Sequence, residues 1–204
     1  MPYKLVKGQF CLFYTGKKQV GSQPDGDSVW FKPDKPTLLK NVDKRSAKIN
    51  PGGMTQLRFE AIDTLETHFQ GEHQKLDHGL KERDFTLNEL GFDVSKMEYS
   101  GKENMTVKSA SPHPVKGFIM IRSIDPNGRP VSFVFTGSTS DSDGKDVFLD
   151  IAKLKKSVNA KSWQRATHSL VSTPVFRQTS GTTSGIPLCQ QGRPARASGR
   201  TTRR

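Results

Sequence analysis

Apolar and polar residues alternate along several short stretches of the chain, and this period of two predicts strands with one buried face. In residues 57–61, three apolar side chains would lie on one face of such a strand, with Arg58 and Glu60 on the other. Comparable apolar stretches occur at four other places, residues 10–14, 29–31, 115–125 and 131–135. The pattern predicts five strands, and an Asp-Pro-Asn-Gly turn joins the last two as a hairpin.

Two segments have a helical period instead. After the third strand, spacings of four, seven and three predict a helix that stops at Gly91 and contains Leu76, Leu80, Leu87 and Leu90. After the fifth strand, spacings of four, three and four predict a second helix through Val147, Ile151, Leu154 and Val158. Residues 92–114 are mixed and polar and are predicted to be loop. No amphipathic repeat is found from residue 163 onward, so no further helix is predicted.

This order of elements predicts an α+β fold that is mainly β: a five-stranded Greek-key barrel of the OB type with about two packed helices. The 204 residues suffice for one such domain and a tail. We expect the domain over residues 1–162, with an inserted loop at about 32–54. The basic residues of that loop would either lie in solvent or contact a substrate; they are Lys40, Lys44, Arg45 and Lys48. Residues 163–204 have a low-complexity, basic composition that is typical of a disordered tail.

The basic charge is concentrated near the C-terminus. The chain has 32 Lys and Arg against 20 Asp and Glu, a net charge of +12. Eleven of the basic residues and none of the acidic ones follow Asp150, so residues 1–150 carry 21 basic and 20 acidic residues. A strongly basic chain suggests nucleic-acid binding, but here the predicted domain is nearly neutral. The charge alone therefore does not identify the partner.

Composition also bears on the compartment. The first residues lack the apolar stretch of a secretory signal, and no run has the roughly 18 apolar residues of a membrane span. Cys11 and Cys189 lie far apart, one in a predicted strand and one in the polar tail, so a disulfide between them is not expected. We therefore expect a cytoplasmic protein that does not bind membranes.

Charged residues that suit phosphate chemistry lie near three predicted strand ends. One turn carries two aspartates just before the second strand. The third strand contains an arginine and leads into a short acidic segment, and a second arginine follows the glycine of the hairpin turn. In chain order these residues are Asp25, Asp27, Arg58, Asp63, Thr64, Glu66 and Arg129.

In this order, and with five residues from Arg58 to Asp63 and three from Asp63 to Glu66, the set resembles the staphylococcal nuclease (thermonuclease) family. The resemblance implies an OB-type barrel that works as a monomer and hydrolyses the phosphodiester bonds of DNA or RNA with Ca²⁺ as cofactor.

The resemblance also implies a role for each residue. Asp27, Asp63 and the Thr64 carbonyl would hold Ca²⁺, which prefers hard oxygen ligands. Asp25 would support those ligands from behind. The remaining three would be catalytic: Glu66 as the base that activates water, and Arg58 and Arg129 as guanidinium groups that clamp the phosphate.

Other interpretations stay open. Arg58 could pair with a glutamate on a solvated face, Arg129 could be an ordinary hairpin residue, and Asp27 could simply shape its turn. The chain could then be a catalytically weak or inactive OB-type module that binds nucleic acid or a protein. It could also be a truncated nuclease homologue.

Overall fold

We analysed a computed structural model, which describes residues 2–62, 76–101 and 105–171. In this part of the chain the structure has ten strands, numbered in chain order as β1 Tyr3–Cys11, β2 Phe13–Thr15, β3 Gln19–Gly21, β4 Ser28–Pro33, β5 Thr55–Phe59, β6 Glu98–Ser100, β7 Thr106–Ser109, β8 Val115–Ile124, β9 Pro130–Thr136 and β10 Asp146–Val147. It also has three α-helices, α1 Leu76–Glu89, α2 Ile151–Leu154 and α3 Val158–Val171.

Five of the strands close into a barrel. The order of neighbours is β1-β4-β5-β9-β8, and β8 pairs with β1 to complete the circuit. Every pair in the circuit is antiparallel except β5 with β9, which is parallel. This arrangement is consistent with an OB-type barrel, and it confirms the fold class predicted from the sequence.

The predicted alternation determines which side chains fill the barrel. On β5, Leu57 and Phe59 are buried in the main core, while Gln56 and Arg58 lie on the outer face. Cys11 is a buried free thiol, and its burial raises the pKa of the thiol to about 11, although Lys32 acts in the opposite direction. Burial of apolar surface is the main force that holds such a barrel together.

Helix α1 confirms the first predicted helix. Leu87 and Leu90 are buried in the main core, and Gly91 follows with a φ of +93°, a left-handed conformation that glycine adopts readily at a helix end. The Thr86 hydroxyl donates a hydrogen bond of 2.8 Å to the Gly26 carbonyl. That bond connects the helix to the turn that carries the two aspartates.

The second predicted helix is wrong in its boundaries, and so is the absence of any later helix. Val147 belongs to β10, α2 is a single turn whose first residues are capped by Asp150, and α3 begins at Val158. The apolar spacing of the segment does not correspond to one continuous helix. Helix α3 extends through residues 163–171, which were assigned to the tail.

Residues 92–114 are also more regular than predicted. They contain the short 3₁₀ helix Val94–Lys96 and the paired strands β6 and β7. Val107 is buried, and the Arg83 guanidinium lies 4.6 Å from the centre of the Tyr99 ring. Strands of three or four residues that are rich in polar side chains have too little alternation to be recognised from the sequence. The pairing of β6 with β7 is instead accompanied by the burial of Val107 and the packing of Arg83 on Tyr99.

The segment predicted as an inserted loop packs against the barrel. Leu39, at the end of the 3₁₀ helix Pro36–Leu39, and Val42 are buried in the main core, while the lysines of the segment are exposed. None of the helices in the described residues is long and apolar enough to cross a membrane.

Candidate functional site

The pairing of three strands brings the predicted acid and the predicted arginines to one side of the barrel. Ser28 on β4 is opposite Arg58 on β5, and Arg58 is in turn opposite Val131 on β9. The Phe59 N–H donates a 2.9 Å hydrogen bond to the Asp27 carbonyl, which extends the pairing by one residue. Asp27, Arg58 and the start of β9, next to Arg129, therefore lie on adjacent strands.

The turn before β4 is fixed by a chain of hydrogen bonds. The Gln56 amide donates to the Ser28 hydroxyl at 3.2 Å, and the Ser28 hydroxyl donates to the Asp25 carboxylate at 2.5 Å. Ser28 is buried, and Thr86 holds the backbone of the same turn through Gly26. The positions of Asp25 and Asp27 are thus set by both the sheet and α1.

The hairpin between β8 and β9 holds Arg129 through one carboxylate. Asp125 accepts from the Arg129 backbone N–H at 2.8 Å and from Nε at 2.7 Å. Partial burial acts to raise the pKa of Asp125, but the hydrogen bonds from Arg129 outweigh it, and the pKa lies below its ordinary value. Asp125 is therefore a charged partner of Arg129 at neutral pH. The side-chain hydrogen bond to Asp125 comes from Arg129 Nε, so it leaves the two terminal nitrogens of the guanidinium for another ligand.

The predicted site residues divide into two groups. The structure places Asp25 and Asp27 in the turn before β4, Arg58 on β5 and Arg129 in the β8–β9 hairpin, each only partly exposed to solvent. Asp63, Thr64 and Glu66 lie outside the described residues. The roles of Asp63, Thr64 and Glu66 therefore stay predictions. The structure does describe the three paired strands β4, β5 and β9 beside which the predicted site lies.

One residue that sequence reasoning missed holds this framework together. Asn159, at the start of α3, donates through its amide to the carbonyls of Glu60 at 2.9 Å and Ser132 at 3.0 Å, and its side-chain oxygen accepts from the Val134 N–H at 2.9 Å. Its side chain is buried, so these bonds are shielded from water. A single asparagine in a polar segment carries no sequence signal of such a role.

Glu60 itself does not act as a free acid beside Arg58. Its Oε1 accepts from the Tyr3 hydroxyl at 3.2 Å and from the Arg122 guanidinium at 2.8 Å. Ala61 follows with a φ of +62°, so the chain turns sharply just before the acidic segment. The end of β5 is therefore fixed on both sides, by Asn159 and by Arg122.

The oxygen ligands available in the described residues are few. Asp25 and Asp27 are two carboxylates on one turn, which is the type of donor that Ca²⁺ prefers. Across the described ranges, no group of three His, Cys, Asp or Glu side chains is placed to hold a metal ion.

Together the fold and this site define a closed five-stranded barrel with packed helices, in which two aspartates and two arginines lie on, or just before, three adjacent strands. Comparisons of the chain with family models, with curated proteins and with solved structures find no match.

Proposed function

We propose that the protein is a phosphodiesterase that hydrolyses DNA or RNA with the help of Ca²⁺. The observation that supports this proposal best is the pairing of β4, β5 and β9, because it puts Asp27, Arg58 and the strand that follows Arg129 side by side. Asp27, Arg58 and Arg129 are three of the residues whose types and order resemble those of a nuclease.

The two arginines supply the part of the chemistry that the described residues can perform. A phosphodiester gains negative charge on its oxygens in the transition state, and a planar guanidinium can contact two of them at once. Asp125 fixes the Arg129 side chain in advance through Nε. Less conformational entropy is then lost when the remaining nitrogens bind phosphate.

The proposed metal site uses Asp27 with Asp63 and the Thr64 carbonyl, and Asp25 supports it from the same turn. When bound, Ca²⁺ would supply positive charge next to the non-bridging phosphate oxygens. Glu66 is proposed to accept a proton from the attacking water. The Ser28 and Thr86 hydrogen bonds contribute by restricting the turn that bears the two aspartates.

Cleavage of a labelled oligonucleotide tests this proposal. We expect hydrolysis in Ca²⁺ and none in chelator, a loss of about 10²–10⁴-fold in Glu66→Gln and a loss of about 10²–10³-fold in Arg129→Met. Glu98→Gln and Arg165→Met are matched controls, because both residues form ion pairs at other surfaces and should leave the rate unchanged. The absence of Ca²⁺-dependent cleavage of both DNA and RNA, or equal rates in Glu66→Gln and the unmodified protein, would contradict it.

A module that binds without hydrolysis is the second candidate. The described part of the site favours it, since Arg58 and Arg129 can hold phosphate whether or not Asp63, Thr64 and Glu66 complete a catalytic site. In that case the oligonucleotide would bind equally well with Ca²⁺ or chelator and would be recovered intact.

A further inference from the structure

Trp30 lies on the outer face of the barrel, beside the strands that carry the candidate site. It pairs with Gln56 across β4 and β5, and one part of its side chain remains exposed. Its ring packs against Tyr14, with centroids 5.8 Å apart and planes at 43°. The sequence pattern predicts Trp30 only as part of an apolar strand, and the proposed hydrolysis does not use it.

Clefts adjoin the indole on both sides. One, of about 250 Å³, extends toward the hairpin and is lined by Trp30, Lys48, Asn50, Gln56, Asn127 and Arg129. The other, of about 270 Å³, extends toward the turn before β4, and Ser28 lines it together with residues 21–24. Trp30 and Gln56 line both clefts, so the two lie next to each other on the surface of β4 and β5, and together they are called the path here.

The first cleft contains an anchored lysine as well as Arg129. The Lys48 N–H donates to the Gly128 carbonyl at 2.9 Å, and the side chain lies against Gly128, where an added Cβ would be 2.6 Å from Lys48 Cγ. Within the described ranges, no carboxylate lies at ion-pair distance from the Lys48 ammonium. Arg129, next to it, shares its charge with Asp125. Lys48 therefore adds an exposed positive charge to this cleft beside that of Arg129.

We propose that this path binds a nucleotide of a single-stranded polynucleotide, with the base stacked on Trp30 and its phosphate at Lys48. The proposal rests on the proposed function, since it takes a polynucleotide as the substrate, but it concerns nucleotides beside the phosphate to be cleaved. A flat aromatic ring next to a cation is the usual combination for holding single strands without sequence preference. The bases of a duplex are stacked on each other and cannot stack on a side chain in the same way.

Fluorescence tests the stacking directly, because the protein has only two tryptophans, Trp30 and Trp163. The protein for this test carries Trp163→Phe, which leaves Trp30 as the indole, and Glu66→Gln, and chelator is added so that the DNA is not cleaved. Titration with an eight-nucleotide DNA should then quench the Trp30 fluorescence. The same sequence as a duplex should quench it much less. An unchanged signal while the oligonucleotide demonstrably binds, as measured by anisotropy of a label, overturns the proposal.

Substitutions then separate stacking from charge. We expect Trp30→Leu to weaken binding about 10-fold and Trp30→Phe to keep most of the affinity. Lys48→Met should lower the slope of log affinity against log salt by about 0.7, the value for one phosphate contact with a single strand. Lys155→Met removes an exposed charge at the end of α2 and should leave that slope unchanged. Circular dichroism of each variant checks that the barrel is intact.

The outcomes distinguish this inference from the proposed hydrolysis. Quenching and a 10-fold effect of Trp30→Leu without any cleavage in Ca²⁺ would support the binding path and contradict the enzyme. Cleavage by a protein whose affinity does not depend on Trp30 would support the enzyme and contradict the path. If no oligonucleotide binds at all, the inference fails.

Discussion

His113 has a side chain whose protonation the fold opposes. Its Nε2 accepts hydrogen bonds from the backbone N–H groups of Leu12, at 3.0 Å, and Phe13, at 3.4 Å. The ring is stacked on Phe13 with centroids 3.8 Å apart. Burial lowers the pKa of the imidazole below its ordinary value. An Nε2 that accepts hydrogen bonds cannot carry a proton, so both features favour the neutral ring.

Acid should therefore destabilise the protein through this residue. The folded-state pKa lies below the unfolded value of about 6.5, so between these two values the unfolded chain binds a proton that the folded protein does not. The free energy of unfolding should fall as the pH drops below about 6.5, with a slope from this group of at most about 1.4 kcal/mol per pH unit.

Urea unfolding at a series of pH values would measure the effect of His113. His113→Gln keeps a hydrogen-bond acceptor that does not titrate, so its stability should fall less steeply between pH 7 and 5. Parallel curves for the variant and the unmodified protein would show that the imidazole remains free to protonate in the folded state.

At the scale of elements, two glycines allow β1 to pair on both of its edges. Gly8 and Gly117 are opposite each other on β1 and β8, and Gly8 is also opposite Pro33 on β4. A Cβ on Gly8 would lie 2.2 Å from the Lys32 carbonyl, and one on Gly117 would lie 2.2 Å from a Phe10 ring atom and 2.5 Å from the Phe135 carbonyl. The strands approach here more closely than any side chain permits, so the barrel can close only around glycine.

Gly117→Ala should consequently destabilise the protein by about 3 kcal/mol or more, because the added methyl group meets backbone as well as a ring. Gly16→Ala is the matched control: its Cβ would be 3.8 Å from the nearest atom and should change stability by less than about 0.5 kcal/mol. Chemical denaturation of both variants measures the difference. Equal stabilities would mean that β1 and β8 can separate without cost.

The sequence was informative where burial follows a simple period. The alternation in β5 predicted both its buried Leu57 and its outward Arg58, and the leucine spacing predicted α1. It was not informative where structure depends on contacts between distant residues. The pairing of β6 with β7 and the bonds of Asn159 involve polar side chains whose partners lie elsewhere in the chain.

The candidate site was predictable to the same extent. The alternation of β5 put Arg58 on the outer face, but the pairing of Ser28 with Arg58, which brings the turn of Asp27 beside it, is a property of the folded barrel. The bond between Asp125 and Arg129 depends on the geometry of one hairpin, and the packing of Lys48 on Gly128 depends on a loop that crosses to it. Neither has a counterpart in spacing or composition.

For the whole molecule, the distribution of charge should determine how strongly nucleic acid is held. Residues 172–204 contain six basic residues and no acidic one, so a chain that ends at residue 171 has a net charge of +6 instead of +12. Basic residues without acidic neighbours attract polynucleotides without regard to sequence. The described barrel contains none of these six charges.

We therefore expect a chain ending at residue 171 to bind oligonucleotides more weakly. The slope of its log affinity against log salt concentration should be smaller by about 0.7 for each phosphate that the shorter chain no longer binds. Its unfolding midpoint in urea should be unchanged, and its cleavage rate at saturating oligonucleotide should be unchanged as well. Anisotropy titrations at several salt concentrations measure the slope. An equal slope in both chains would show that the six charges do not reach the polynucleotide.

Asn159 has a consequence for how the protein is made. The groups that it binds belong to Glu60, which directly follows β5, and to Ser132 and Val134 of β9, all of which leave the ribosome earlier. Before residue 159 is synthesised, the Glu60 carbonyl and the Val134 N–H lack this partner, although the Ser132 carbonyl can already accept from the Glu60 N–H, at 2.9 Å in the folded protein. The arginine-bearing strands of a nascent chain thus acquire this support only after the residues of all five barrel strands have been synthesised.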